Sequence, residues 1–247
     1  MVIIMDKILV KDFYISGNEC DIFECLHAHA LQSNLLDCAF AHADEIGVSR
    51  KEINEITGGG VWVLIRLGVE LYSPLRYPQE FVIETWPTGV KGPYFGRDYV
   101  IRCGDKIFGK ASSDWLIVNP DTKRISRGKD LPKYNIDSKP GTETCVELGK
   151  RLMPPEQLNC LGQHLVKYSD IDMNRHVNNT RYLAIAGDAL ELDRRRQQMS
   201  AWQINYIEQC VSGELIEMHG GQYGDGAWYI EGNVSGKKRF EIKIALK

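Results

Sequence analysis

The residues best suited to chemistry lie within one short stretch, residues 169–182. Asp172, Asn174 and His176 stand at alternating positions, and Asn178 and Asn179 follow directly before a helical pattern. In an extended segment, alternation sends the carboxylate, the amide and the imidazole to the same side. Asn178 or Asn179 then caps the helix, whose unsatisfied N–H groups and positive dipole end face the same space. Such a site can polarise a carbonyl oxygen and hold developing negative charge, which is what acyl transfer needs. The same residues also suit an Asx-rich loop that only caps a helix, and spacing alone does not choose between the two. Metal chemistry has no comparable support. The seven cysteines are scattered, without a Cys-x-x-Cys pair, and read as reduced thiols. His27, His29 and His42 lack acidic or cysteine partners at ligand spacing, so neither metal nor cofactor is expected.

Two similar runs of elements must position that stretch. In the first, Ser33 reads as an N-cap, Leu35, Leu36, Ala39, Phe40 and Ala43 as an apolar helix stripe, and Gly47 as its stop. Beyond residues 58–60, all glycine, the period becomes two. Val61, Val63, Ile65, Leu67, Val69 and Leu71 form one buried face, opposite Trp62, Leu64, Arg66, Gly68, Glu70 and Tyr72. Strands are expected at 80–86, 94–103 and 106–119, with Gly104 and Asp105 turning between the last two. The second run has a strand at 163–168, a helix at 179–198, and strands at 202–210, 214–220, 227–234 and 239–246. Residues 128–141, with Pro132 and Pro140, read as a linker. The fold class is therefore α+β, divided into residues 1–135 and 136–247, each half a long helix against an antiparallel sheet.

Composition narrows the function. The chain has 247 residues, 43% hydrophobic and 26% charged, with a net charge of −3, enough apolar matter for a real core. No basic stripe interleaves with aromatics, which argues against nucleic acid. No run approaches the ~18 apolar residues of a membrane helix. The first residues lack the basic start of a signal peptide, so a cytoplasmic location is expected.

Asp172, Asn174, His176, Val177, Asn178, Asn179 and Tyr182 together closely resemble the signature of acyl-acyl carrier protein (ACP) thioesterases. Residues 34–37, 61–66, 76–78, Arg97 with Asp98, 111–113 with Trp115, and 122–126 also look like that family. In order, these pieces span residues 34–213. The resemblance implies a tandem pair of hotdog domains, each a long helix wrapped by an antiparallel sheet. It implies hydrolysis of a fatty acyl thioester on acyl carrier protein, ending or diverting fatty acid synthesis.

Carried over by position, the resemblance makes Asn174 and His176 catalytic, with Asp172 orienting Asn174. Two routes of attack follow from the family pattern: a Glu acting on water, or the adjacent Cys as nucleophile. Cys210 matches the family cysteine, but the family glutamate falls on Gln209, a departure, because an amide positions water without taking its proton. Glu208 is one place away and would face the other side of a regular strand. Either a bulge brings Glu208 in, or His176 serves as base while Gln209 and Asn174 position water. A thiolate at Cys210 stays open, since a nearby histidine can lower its pKa.

The resemblance also places the acyl tunnel in the first domain, between its helix and a sheet carrying Trp62, Trp86 and Trp115. Acyl carrier protein is acidic, so Arg194, Arg195 and Arg196 are the expected docking run, with Arg181 and Arg175 nearer the loop. Placement of these cations at a helix C-terminus explains the run equally well. A hotdog hydrolase acting on acyl-CoA and a non-catalytic acyl-thioester-binding module are the alternatives, and either a monomer or a homodimer fits.

Overall fold

The computed structural model describes residues 8–127, 131 and 145–247. The expected domain boundary at 135/136 lies outside them, as does most of the expected linker. Two compact units emerge. One takes in the described residues of Met1–Ile15, Asn34–Tyr72 and Pro78–Leu148; the other takes in Ser16–Ser33, Ser73–Tyr77 and Gly149–Lys247.

The first unit contains β1 (Leu9–Tyr14), most of α1 (Ala28–Glu45), α2 (Arg50–Thr57), β2 (Val61–Leu71), β3 (Glu80–Lys91), β4 (Tyr94–Cys103), β5 (Lys106–Val118) and the short β6 (Ile125–Ser126). Its antiparallel strands run in the order β1-β3-β4-β5-β2, with β6 beside β5. The helix lies on this sheet, with Phe40 edge-on to Trp115 at 5.8 Å. It begins at Ala28, so Ser33 is an internal residue and not its N-cap. The apolar spacing extends backwards through the buried Ala30 and Leu31, and that burial outweighs the capping preference of Ser33. Gly47 does end the helix: its φ is 74°, and Val48 N donates to Ala43 O at 2.9 Å, closing the last turn.

Two corrections concern the faces of this sheet. The pairing of β2 with β5 shifts between Leu64 and Arg66, leaving Ile65 as an extra residue. Trp62 and Leu64 therefore share a face with Leu67 and Val69, because a bulge inverts the alternation. The unbroken face from Val61 to Leu71 does not form. Trp86 is the second. It pairs with Asp98, whereas Thr85 pairs with Tyr99 and Phe95 pairs with Trp115. Trp86 is thus buried on the sheet face opposite to Trp115 and α1, not in a space shared with them.

The second unit contains β7 (Asn159–Leu165), α3 (Arg181–Ala189), α4 (Leu192–Arg195), β8 (Met199–Tyr206), β9 (Leu215–Gln222), β10 (Trp228–Val234) and β11 (Lys237–Leu246). Its antiparallel order is β8-β11-β10-β9-β7. Tyr182 of α3 packs on Phe240 at 4.7 Å and on Tyr206 at 5.6 Å, seating the helix on the sheet. The helix is shorter than the expected 179–198. Its apolar stripe ends at Leu190, Glu191 turns left-handed with φ 49°, and only the single turn of α4 follows. Among the described residues, no helix is long and apolar enough to cross a membrane.

Candidate active site

The polar loop is anchored by Asp170, which is 2% exposed. Its Oδ2 accepts from His164 Nε2 at 2.9 Å and from Lys167 N at 3.0 Å. Its Oδ1 accepts from Arg181 Nε at 3.1 Å and Nη2 at 3.0 Å. One carboxylate thereby joins β7, the turn before the loop, and the first residue of α3. Burial pushes the Asp170 carboxyl upward, but the donors at Lys167, His164 and Arg181 outweigh it and hold the group below its ordinary range. Its backbone carbonyl accepts from Asn178 N at 2.8 Å, closing the loop from the far side.

Between these anchors the chain is a tight turn, not the extended segment expected from alternation. Ile171 and Val177 form an antiparallel bridge, and Asp172 N donates to His176 O at 2.9 Å. Arg175 carries φ 65° at the tip. Asp172 holds the turn from inside. Its Oδ1 accepts from Asn174 N at 2.8 Å and from His176 N at 3.5 Å, and its Oδ2 accepts from Asn174 Nδ2 at 3.3 Å. Asp172 and Asn174 thus meet through their side chains, whereas His176 joins them through its backbone. Asn174 is exposed and His176 half-buried. Among the described residues the His176 ring makes no hydrogen bond.

The two asparagines divide their work. Asn178 Oδ1 accepts from Thr180 N and Oγ1, both at 2.9 Å, and so shapes the turn into α3. Asn179 contributes its carbonyl, which accepts from Tyr206 Oη at 2.7 Å and from Gln32 Nε2 at 3.1 Å. Gln32 is fully buried and also accepts from Trp202 Nε1 at 3.4 Å.

Cys210 lies beside the loop: Val177 N donates to its carbonyl at 2.9 Å, and its own N–H donates to Tyr182 Oη at 3.3 Å. The side chain is fully buried, and burial pushes the thiol up to about 11. It is therefore a protonated thiol at neutral pH. The segment before it is a bulge, since Ile207 N and Glu208 N both donate to Arg239 O, at 2.8 and 3.0 Å. Glu208 and Gln209 are both exposed. The Glu208 carboxylate pairs with Arg239 Nη1 at 2.7 Å, and Arg239 also reaches Glu214 at 3.2 Å.

The expected docking arginines separate in the structure. Arg194 pairs with Glu191. Arg195 donates from Nε to Leu190 O at 2.7 Å and lies 5.2 Å over the Trp228 ring, so it closes the end of α3. Arg196 is exposed in a left-handed turn with φ 53°.

In the first unit, Trp62, Trp115, Phe40, Ala39, Ala43 and Arg97 line a small, partly open cleft beneath α1. Trp62 is fixed there by donation from Nε1 to Val48 O at 2.9 Å and by its edge against Phe95 at 5.1 Å.

The model of the acyl-ACP thioesterase N-terminal domain matches residues 6–130, and that of the C-terminal domain matches residues 156–245. The chain belongs to the acyl-ACP thioesterase family. An acyl-ACP thioesterase from Bacteroides thetaiotaomicron has the same fold, with a TM-score of 0.86 and 25% identity over 98% of both chains. A 12:0-ACP thioesterase from Umbellularia californica matches in fold, with a TM-score of 0.82 and 16% identity over 97% of each chain. In sequence, the chain is 23% identical over 229 residues to oleoyl-acyl carrier protein thioesterase 2 of Arabidopsis thaliana, covering 86% of this chain. It spans 61% of that plant protein's length. The resemblance and the tandem hotdog fold inferred from sequence both hold.

Within this acyl-ACP thioesterase family member, reading the sequence missed the residues that hold the loop. Asp170 stands two positions before Asp172, and the Asp-x-Asp spacing was its only local mark. His164, Arg181, Gln32 and Tyr206 carry no signal of spacing, because their partners lie on other elements.

Proposed function

We propose that this chain hydrolyses a fatty acyl thioester carried by the phosphopantetheine arm of acyl carrier protein. The observation that carries the reading is the Asp172-centred turn, which sets Asn174 and His176 beside the start of α3. His176 takes a proton from water, and the water oxygen bonds to the thioester carbonyl carbon. Asn174 Nδ2 steers the water or the carbonyl, and Asp172 fixes that amide. Collapse of the tetrahedral intermediate breaks the C–S bond. The sulfur leaves as the pantetheine thiol, taking the proton from His176, and the fatty acid is free.

Attack by water is favoured over a covalent route, because the Cys210 thiol is buried and held protonated. Glu208 is occupied by Arg239, which supports His176 as the base. The acyl chain is assigned to the cleft lined by Trp62 and Trp115, and so to the N-terminal hotdog, with catalysis in the C-terminal one. Purified protein given a panel of acyl-ACP thioesters should release free thiol and free fatty acid, read by mass. Asn174→Ala and His176→Ala should each lower turnover by about 10²–10⁴-fold while leaving the fold intact. Absence of thiol release from every carrier-protein thioester, or near-normal hydrolysis by either variant, would overturn the reading.

A further inference from the structure

A buried amide reaches the active loop from outside it. Gln32 lies in the stretch of α1 that belongs to the second unit, and it is 0% exposed. Its helix neighbours Leu31 and Leu35 are buried and apolar, and an amide among them is costly unless its polar atoms are paired. Here they are. Oε1 accepts from the Trp202 indole at 3.4 Å, and because an indole only donates, Nε2 must point the other way. Nε2 donates to Tyr206 Oη at 2.9 Å and to Asn179 O at 3.1 Å. Burial pushes the Tyr206 hydroxyl up, so it keeps its proton and donates to the same Asn179 O at 2.7 Å. Two side chains, one from α1 and one from β8, thus converge on a single backbone carbonyl.

That carbonyl stands two residues before α3, and its partners decide where the helix starts. A helix extended back over Asn179 would use Asn179 O as the acceptor of Leu183 N, four residues on. Instead Leu183 N donates to Thr180 O at 3.2 Å, while Asn179 O faces Gln32 and Tyr206. The N–H of the same peptide, Thr180 N, is held by Asn178 Oδ1 at 2.9 Å, so both of its polar ends are fixed. The clamp is continuous with the loop. The Tyr206 ring meets Tyr182 at 5.6 Å, Tyr182 Oη accepts from Cys210 N, and Cys210 O accepts from Val177 N, next to His176. Fully satisfied buried networks of this kind specify one geometry. We propose that Gln32 and Tyr206 are positioning residues for hydrolysis, which hold the Asn179 carbonyl out of α3 and so fix the start of that helix relative to His176. The inference rests on the thioesterase reading for its reaction, but the helix start can be measured without turnover.

The experiment compares the intact wild type with Gln32→Met, Tyr206→Phe and the double variant, each close in volume to what it replaces. Kinetics on an acyl-ACP thioester are paired with the backbone amide resonances of Leu183 and Thr180 in heteronuclear NMR. Each single variant leaves one donor on Asn179 O and should lower kcat a few-fold, with KM within about twofold. The double variant should lose about tenfold more kcat than the product of the single losses, because both donors serve one acceptor. Its Leu183 amide should also move, exchanging Thr180 O for Asn179 O, while the amides of β10 and β11 stay in place. A general loss of stability would move the strands as well. Wild-type kcat in the double variant, losses that simply multiply, or an unmoved Leu183 amide overturns the proposal. Should the double variant not fold, Tyr206→Phe decides alone, and wild-type kcat with an unmoved Leu183 amide overturns it. The two readings fail separately. Wild-type turnover with no effect in the variants removes the positioning and keeps the thioesterase. A moved Leu183 amide in a protein whose wild type cleaves no thioester removes the thioesterase and keeps the clamp on the helix start.

Discussion

Asp170→Asn removes a charge without changing shape, which makes it a sharp probe of how the loop is held. The wild-type carboxylate faces only donors: His164 Nε2, Lys167 N, and the Nε and Nη2 of Arg181. An asparagine must turn its NH₂ toward one of these sets, setting donor against donor. Breaking a buried pair costs about 3–5 kcal/mol when the remaining charge stays dry. Here the Arg181 side chain is 34% exposed and that of His164 26%, so water recovers part of the loss. We expect a net loss of about 2–3 kcal/mol at pH 7, measured by urea unfolding. The pH dependence gives the sign. The folded carboxyl is held below its ordinary range, so its stabilisation is complete above the unfolded value near pH 4 and is lost as pH falls through the folded value. The gap between wild type and Asp170→Asn should therefore narrow on acidification. For catalysis, kcat should fall with KM little changed, because Asp170 acts on the loop and not on bound substrate. A loss below about 0.5 kcal/mol at pH 7, or a gap that stays constant on acidification, would refute the anchoring argument.

Other perturbations test the remaining assignments. Cys210→Ala should keep hydrolysis within a few-fold, and iodoacetamide should label Cys210 in the native protein far more slowly than an exposed thiol. With the thiol pushed up to about 11, only about 1 in 10⁴ molecules carries a thiolate at pH 7; an acyl group trapped on Cys210 would contradict this. Glu208→Gln should leave the acid limb of the pH–rate profile in place if His176 is the base, and loss of that limb would assign the base to Glu208 instead. Arg194→Glu with Arg196→Glu should raise KM for acyl carrier protein thioesters while sparing a small thioester, and equal loss on both would remove the docking role. Arg195→Glu should lower stability by about 1–2 kcal/mol in thermal unfolding, through the lost Leu190 and Trp228 contacts.

The strands were the most legible part of the fold. Residues 94–103 coincide with β4 because a period of two ends there at a turn residue, Gly104, whose φ is 56°. The turn between β10 and β11 was legible for the same reason, with Ser235 and Gly236 both at positive φ. The β2 bulge was not. Leu64 and Ile65 are both apolar, so either phase of the strand reads equally well, and only the register against β5 decides. The α2 helix went unread although its ends are written locally. Ser49 and Glu52 form a capping box, and Gly58 takes the left-handed C-cap at φ 66°. The overlooked pattern was a polar helix that buries chiefly Ile53 and so shows little apolar stripe.

At the site, the right residues were reached by a route the structure replaces. Alternation in a strand would have aimed three side chains in one direction. The turn instead makes Asp172 an acceptor for two backbone amides and one side-chain amide, so its carboxylate both builds the loop and fixes Asn174. Replacing Asp172 should therefore disturb structure and chemistry together, whereas replacing His176 touches only a ring. The alternatives at Glu208 and Gln209 turned on backbone geometry that a sequence does not display. Two successive amides converge on Arg239 O, and that bulge ends the alternation by which Glu208 would face away from the residue after it. What then limits Glu208 is Arg239, a cation on β11 that clasps Glu208 and Glu214 at once. The chemistry available to this segment is thus decided by a residue some thirty positions along the chain.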